Sequence, residues 1–155
     1  MMRHLFGLIF LLAGLAGSSF AQNVRELHFA PGASSVVVSD AVVRGSQHCF
    51  AFSARKGQWA QISVSAIESN AAITVWRPGA RAQVGGSEDI EGTALPGAGE
   101  GQDASQCKGR LPESGRYLIV VGPTRGNASY ELRLAIGRRP LPALAPAPPR
   151  ASAPR

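Results

Sequence analysis

The chain has 155 residues and a formal net charge of +6 at pH 7, from 16 lysines and arginines against 10 acidic residues. Five of the basic residues lie in the predicted leader and tail described below, which leaves 11 against all 10 acidic residues in between. A domain this close to neutrality does not create the positive field that nucleic-acid phosphates require, so we expect no nucleic-acid partner.

The first 21 residues have the features of a secretory signal peptide. A positively charged start precedes an apolar run over 5–16, and small residues stand at Ser19 and Ala21, the positions that a signal peptidase reads. The apolar run is shorter than the roughly 20 residues that a membrane-spanning helix needs. We therefore predict cleavage after Ala21 and a periplasmic or secreted protein with no membrane span.

Residues 22–137 form the predicted domain, and its apolar residues alternate with polar ones. The alternating runs, separated by Gly/Pro turns, cover 25–30, 34–43, 48–54, 58–67, 71–76, 116–121 and 129–136. Seven or eight short strands without a helical segment predict an all-β fold, an antiparallel β-sandwich, with a barrel as the alternative.

Two segments interrupt this pattern. Residues 78–104 are glycine-rich, have no hydrophobic period and contain five acidic residues, which predicts a long mobile loop, with a short irregular strand inside it as an alternative. A calcium site is an alternative interpretation, because hard cations bind clustered carboxylates on flexible backbone. Residues 138–155 are rich in Pro, Ala and Arg, which predicts a disordered tail.

Cys49 and Cys107 are the two cysteines of the chain. An exported protein meets an oxidising compartment, so we predict a disulfide between them. A metal site is the alternative, but it would need more ligands than the two cysteines with His28 or His48. We expect both histidines to be surface residues.

No catalytic constellation is present in the sequence. It contains no nucleophile elbow, phosphate loop or dinucleotide fingerprint, and its acidic residues cluster in the predicted loop. We predict a binding protein that is not an enzyme and has no cofactor.

Two turns offer contact residues for a partner. One presents Ser114, Gly115 and Arg116, and the other presents Thr124 and Arg125. They flank the strand 116–121, which spans roughly 20 Å, so one small pocket cannot use both turns fully.

The segments ELHFAPGASSVVV, FSARKGQ, LPESGRY and TRGNA, in this order, resemble the periplasmic inhibitors of goose-type (g-type) lysozyme. The same outline is similar to bacterial pre-peptidase C-terminal domains, which are β-sandwiches. The resemblance covers about residues 25–136.

The resemblance implies an exported protein that occludes the cleft of a lysozyme. It assigns partner-binding roles to the Ser-Gly-x-Tyr element, matched by Ser114, Gly115 and Tyr117, and to the Thr-Arg pair, matched by Thr124 and Arg125. An arginine fork can bind a carboxylate of the cleft with two parallel hydrogen bonds. The alternative is a stand-alone pre-peptidase-type sandwich that binds cell-wall glycan or another envelope protein.

Overall fold

The computed structural model describes residues 24–82 and 90–142. The predicted signal peptide, residues 83–89 of the predicted loop and residues 143–155 of the predicted tail lie outside the described residues, so those predictions stay predictions.

The described chain consists of short strands joined by turns, with no helix in either described range. The strands are β1 Arg25–Glu26, β2 Ser35–Val42, β3 His48–Ala54, β4 Trp59–Ala66, β5 Ala71–Trp76, β6 Arg81–Ala82, β7 Ile90–Glu91, β8 Gln106–Arg110, β9 Gly115–Pro123 and β10 Ala128–Gly137.

Two four-stranded sheets face each other and form a sandwich. Sheet A has the order β1-β3-β9-β5, and sheet B has the order β2-β10-β4-β8, while β6 and β7 form a separate two-stranded ribbon. The pairing is antiparallel throughout the two sheets except between β1 and β3, which run parallel. The predicted all-β sandwich is therefore confirmed.

Strand alternation decides which side chains fill the space between the sheets. Phe50 and Phe52 of β3 point inward, as do Tyr117 and Ile119 of β9, and they meet Leu132 and its neighbours from β10. Each fully buried side chain of this size contributes about 1.5–3 kcal/mol relative to an exposed one. The period-two pattern of the sequence thus becomes one continuous core.

The segment after the ribbon packs against the edge of sheet A. Three backbone hydrogen bonds of 2.7–2.9 Å join it to β5. The N–H of Leu95 donates to the carbonyl of Val75. In the other direction, the N–H of Val75 donates to the carbonyl of Ala98, and the N–H of Ile73 donates to the carbonyl of Ala104. Leu95 and Ala98 are buried. The mobility predicted for 78–104 is therefore wrong for the second half of the segment, which covers the edge of β5, whereas β6 and β7 agree with the short irregular strand considered there.

The predicted disulfide between Cys49 and Cys107 is wrong, because both thiols are free. Cys49 alternates with Phe50, so it lies on the outer face of sheet A, in a second apolar cluster with Trp76 and Leu118. Cys107 lies in sheet B and packs against the core between the sheets. Sheet A stands between the two thiols, and burial raises the pKa of both.

The beginning of the predicted tail lies against sheet B. Leu141 approaches Gly137 so closely that a methyl group on the glycine would lie 2.7 Å from the leucine side chain. The Nζ of Lys108 donates to the carbonyl of Leu141 (2.7 Å). None of the described residues forms a helix that could cross a membrane.

Candidate functional site

The Ser114 turn is bound to the neighbouring β3–β4 turn. The backbone N–H of Lys56 donates to Oγ of Ser114 (2.8 Å). Two backbone bonds lie beside it, from the N–H of Gly57 to the carbonyl of Leu111 and from the N–H of Leu111 to that of Gln58 (both 2.8 Å). The two turns therefore form one double turn at this end of the sandwich.

Gly115 cannot be replaced without disturbing this double turn. Its φ is +144°, and a Cβ at this position would lie 2.8 Å from Cβ of Pro78. Both the backbone conformation and the close approach of the proline ring therefore require glycine.

Tyr117 supports the Ser114 turn from inside. Its ring is completely buried and stacks on Phe52, with 5.3 Å between the ring centroids. Its hydroxyl donates to the carbonyl of Glu113 (2.8 Å) and accepts from the N–H of the same residue (3.2 Å). Burial raises the pKa of Tyr117, which keeps the hydroxyl proton in place. In this position Tyr117 shapes the turn and does not present its ring to a partner.

Two arginines near the Ser114 turn are already paired with carboxylates. Nη2 of Arg116 lies 2.6 Å from Oε1 of Glu26, and Arg77 forms an ion pair with Glu113. Ser114 itself is exposed. Of the residues predicted here, Ser114 and the exposed Arg116 are thus the ones that a partner can reach.

The Arg125 turn, at the other end of β9, is held by a buried asparagine. Asn70 is 2% exposed, and its Nδ2 donates to the carbonyls of Arg125 (3.1 Å) and Asn127 (2.8 Å). Its backbone carbonyl accepts from the N–H of Thr124 (2.9 Å). The side chain of Asn70 thereby holds the turn at two points and its backbone holds it at a third. The sequence carried no signal that singled this residue out.

The guanidinium of Arg125 remains available on this fixed turn. The side chain is exposed, and Nη2 donates to the backbone carbonyl of Glu68 (2.6 Å). It has no ion pair with a carboxylate among the residues that the structure describes. Thr124 is also exposed and lies next to it. An arginine in this state can present a fork of donors to an incoming carboxylate.

The structure does not bring the two predicted turns together. β9 begins at Gly115 and ends at Pro123. At the rise of an extended strand its nine residues separate the turns by roughly 26 Å. The predicted contact residues therefore form two groups, one at each end of the sandwich.

His48 is part of a polar cluster that joins the two sheets. Its Nδ1 lies 2.7 Å from the hydroxyl of Tyr130 and 3.5 Å from Oδ2 of Asp40. Arg25 pairs with the same carboxylate (2.8 Å). The prediction of a surface histidine is correct for the exposed His28 but incomplete for the half-buried His48, whose partners come from β2 and β10.

Within the described ranges, no group of three or more His, Cys, Asp or Glu side chains could hold a metal ion. Two of the five acidic residues that suggested calcium, Glu88 and Asp89, lie outside these ranges. The described residues therefore give no support to the calcium interpretation.

A groove crosses the outer face of sheet A beside the 90–104 segment. It consists of a cavity of about 310 Å³ and a neighbouring one of about 140 Å³. The residues that line both cavities are Gln47, Thr74, Gly101 and Val120. Its rim is polar, and the smaller cavity reaches Thr124.

Solved structures that share this fold include three PliG proteins. PliG of Aeromonas hydrophila, a periplasmic lysozyme inhibitor of g-type lysozyme, aligns with a TM-score of 0.55 and 24% identity over 73% of this chain and 95% of that chain. Salmonella Typhimurium PliG aligns with a TM-score of 0.52 and 23% identity, over 73% of this chain and 96% of that chain. A mutant of Escherichia coli PliG gives 0.52 and 22%, with the same coverage.

At these identities the likeness establishes the fold, and the resemblance predicted from the sequence is confirmed at that level. No protein-family model and no curated protein matches the chain.

Proposed function

We propose that this protein is an exported, non-catalytic inhibitor of a goose-type lysozyme, and that the Arg125 turn is its principal contact. The observation that carries the proposal is the exposed guanidinium of Arg125, which has no carboxylate partner in the described structure and stands on a turn fixed by buried Asn70. A lysozyme cleft contains the carboxylates of glycoside hydrolysis, which such a guanidinium can bind.

The fold supports the same proposal. The chain covers 95–96% of the three PliG structures, whose described role is inhibition of g-type lysozyme. Since inhibitors of this kind act in the periplasm, a periplasmic or secreted location is part of the proposal and agrees with the predicted signal peptide.

Preorganisation explains how one turn can contribute affinity. A loop that must be ordered on binding loses conformational freedom, and this cost reduces the net binding free energy. Here the hydrogen bonds from Asn70 order the turn before binding. Thr124 stands beside Arg125 and adds a hydroxyl group to the same surface.

The test is inhibition of a goose-type lysozyme lysing bacterial cell walls, with the chain from residue 22 onward. Arg125→Ala should weaken inhibition at least about 30-fold, since loss of a buried charged contact costs about 2 kcal/mol or more. The inhibition by Arg125→Lys should lie between that of the parent and that of Arg125→Ala, because lysine keeps the positive charge but lacks the two parallel donors of the guanidinium. Arg81→Ala, which removes an exposed arginine of β6, is the matched control and should inhibit like the parent.

Ser114→Ala and Arg116→Ala form a second arm of the test. If these variants lose inhibition and Arg125→Ala does not, the function stands and the contact belongs to the other end of β9. If the folded parent inhibits neither goose-type nor chicken-type nor invertebrate-type lysozyme, the inhibitor function is refuted.

The groove on sheet A supports a second candidate function, binding of a cell-wall glycan by a sandwich of the pre-peptidase type. Its polar rim includes Gln47, Thr74 and Glu100, which can hydrogen-bond sugar hydroxyls. Thr74→Val should weaken binding of soluble cell-wall fragments about fivefold, measured by calorimetry, if this groove is their site, since one neutral hydrogen bond contributes about 1 kcal/mol. Unchanged binding would exclude it.

A further inference from the structure

Cations without ion pairs collect at the Ser114 end of the sandwich. β3 ends there and leads into the turn 55–57, β8 ends there at Arg110, and β10 ends there at Gly137, opposite Trp59. We name this surface the basic end and define it by five exposed residues that have no ion pair in the described structure: Arg55, Lys56, Arg110, Arg138 and Arg139.

The carboxylates near the basic end do not neutralise it. Glu26 and Glu113 are each occupied by an arginine of their own, Arg116 and Arg77. The side chain of Arg110 donates to a backbone carbonyl, that of Gly57 (3.2 Å). The five remaining cations are therefore uncompensated, although the whole domain is close to neutral.

The opposite end and the groove have a different balance. Glu68 and Asp103 lie on that side together with Arg44 and Arg125, and Asp103 lines the smaller cavity that reaches Thr124. Acidic and basic residues are balanced there, so the excess of positive charge lies at the basic end. This polarity depends on which turns the topology brings to one end, so a charge count along the sequence misses it.

Two large apolar side chains lie among the cations of the basic end. Trp59 begins β4 and is paired in register with Arg110 and Gly137. Leu141 packs against Gly137. Both are partly exposed. Tryptophan among cationic residues is the composition found where protein surfaces meet the headgroup region of a bilayer.

We propose that the basic end binds the surface of a bilayer that contains anionic phospholipids. The cations stand on three separate chain segments around one end, which suits a broad, planar array of negative charges. The two cavities described above lie on the outer face of sheet A, so neither offers a pocket to a discrete anion here. After Glu131 the sequence contains no acidic residue.

This arrangement gives the two ends of β9 separate tasks. A molecule held at a bilayer by its basic end directs the Arg125 turn away from the lipid, roughly 26 Å along the strand. Membrane attachment does not depend on the proposed inhibition, since it uses a different surface. Either property can fail without the other.

The experiment measures partition of the chain from residue 22 onward into vesicles of mixed phosphatidylglycerol and phosphatidylcholine, with vesicles of phosphatidylcholine alone as reference. Lys56→Glu and Arg44→Glu change the net charge equally, but Arg44 lies at the opposite end, beside Asn127. Each basic residue near an anionic surface contributes about fivefold to partition, so Lys56→Glu should lose about 25-fold and Arg44→Glu less than about threefold. Binding should weaken as salt is raised, and Trp59 emission should shift to the blue on binding.

Three outcomes would overturn the proposal. Equal losses for the two variants would show that net charge alone acts. Equal binding to both kinds of vesicle would show that anionic headgroups are not recognised. Absence of binding by the parent chain, with its fold confirmed by circular dichroism, would remove the proposal altogether.

Discussion

Replacing Asn70 by alanine tests both the architecture of the Arg125 turn and its role. The substitution removes the amide that donates to the carbonyls of Arg125 and Asn127. The bond from the N–H of Thr124 to the backbone carbonyl of residue 70 remains, because it does not involve the side chain. The change therefore removes two defined hydrogen bonds and leaves the path of the chain otherwise intact.

The expected loss of stability is about 2 kcal/mol. A hydrogen bond of this kind contributes about 1 kcal/mol net, and two are lost. Arg125 and Asn127 are exposed residues, so water can hydrate their carbonyls after the substitution, which keeps the cost near the lower end of the range for buried polar groups. For a domain of this size the melting temperature should fall by roughly 8–12 °C.

The assay combines urea unfolding with inhibition of a goose-type lysozyme. Val75→Ala is the matched control, because removal of two buried methyl groups costs about 2 kcal/mol at a fully buried position. Val75 lies five residues along β5 from Asn70, roughly 16 Å away. Asn70→Ala should weaken inhibition at least about tenfold, whereas Val75→Ala should inhibit like the parent at a temperature where both variants are folded.

Two results would contradict this reasoning. A loss of less than about 0.5 kcal/mol would show that the amide of Asn70 does not hold the turn. A loss of about 2 kcal/mol in the free energy of unfolding with unchanged inhibition would confirm the structural role of Asn70. It would also show that the Arg125 turn does not contact the lysozyme.

Two further predictions concern stability. The urea midpoint should be the same with and without reductant, because Cys49 and Cys107 are free, whereas a cross-link between them would contribute roughly 4 kcal/mol that reduction would abolish. The hydrogen bond from the N–H of Ala41, together with the charges of His48 and Arg25, holds the pKa of Asp40 below its ordinary value. The ionised Asp40 therefore stabilises the folded protein above about pH 4, and this contribution is lost as the pH falls through the folded-state pKa. Asp40→Asn should therefore lose up to about 1 kcal/mol at pH 6 and progressively less towards pH 2.5, as measured by urea unfolding; a constant difference would contradict the linkage.

Local sequence information was sufficient for most of the sandwich. Alternation in β4 and β10 identified both the strands and their inward faces, because only one face of each strand is apolar enough to pack against another sheet. β3 and β9 are apolar on both faces, and their outer faces belong to the second apolar cluster. The turn that presents Ser114 was predicted, and it precedes β9 in the structure. The same alternation argued against the predicted disulfide, because it put Cys49 on the face of β3 opposite to the buried Phe50.

Features that depend on the meeting of distant segments could not be predicted in this way. Asn70 looks like any polar residue of a turn, and it is buried only because the β9–β10 turn closes over it. The basic end exists because three strands finish together there. For the segment 90–104, the apolar Leu95 and Ala98 were a usable signal, which the surrounding glycines obscured.

The order of strands in the sheets affects when the protein can fold. β9 is flanked by β3 and β5 in sheet A, and β10 is flanked by β2 and β4 in sheet B. Both central strands come last in the domain, so sheet A cannot be completed before the chain reaches Pro123 and sheet B cannot be completed before it reaches Gly137. Such non-local pairing slows folding. If the protein is exported as proposed, this strand order keeps both sheets incomplete until the last strands have crossed the membrane.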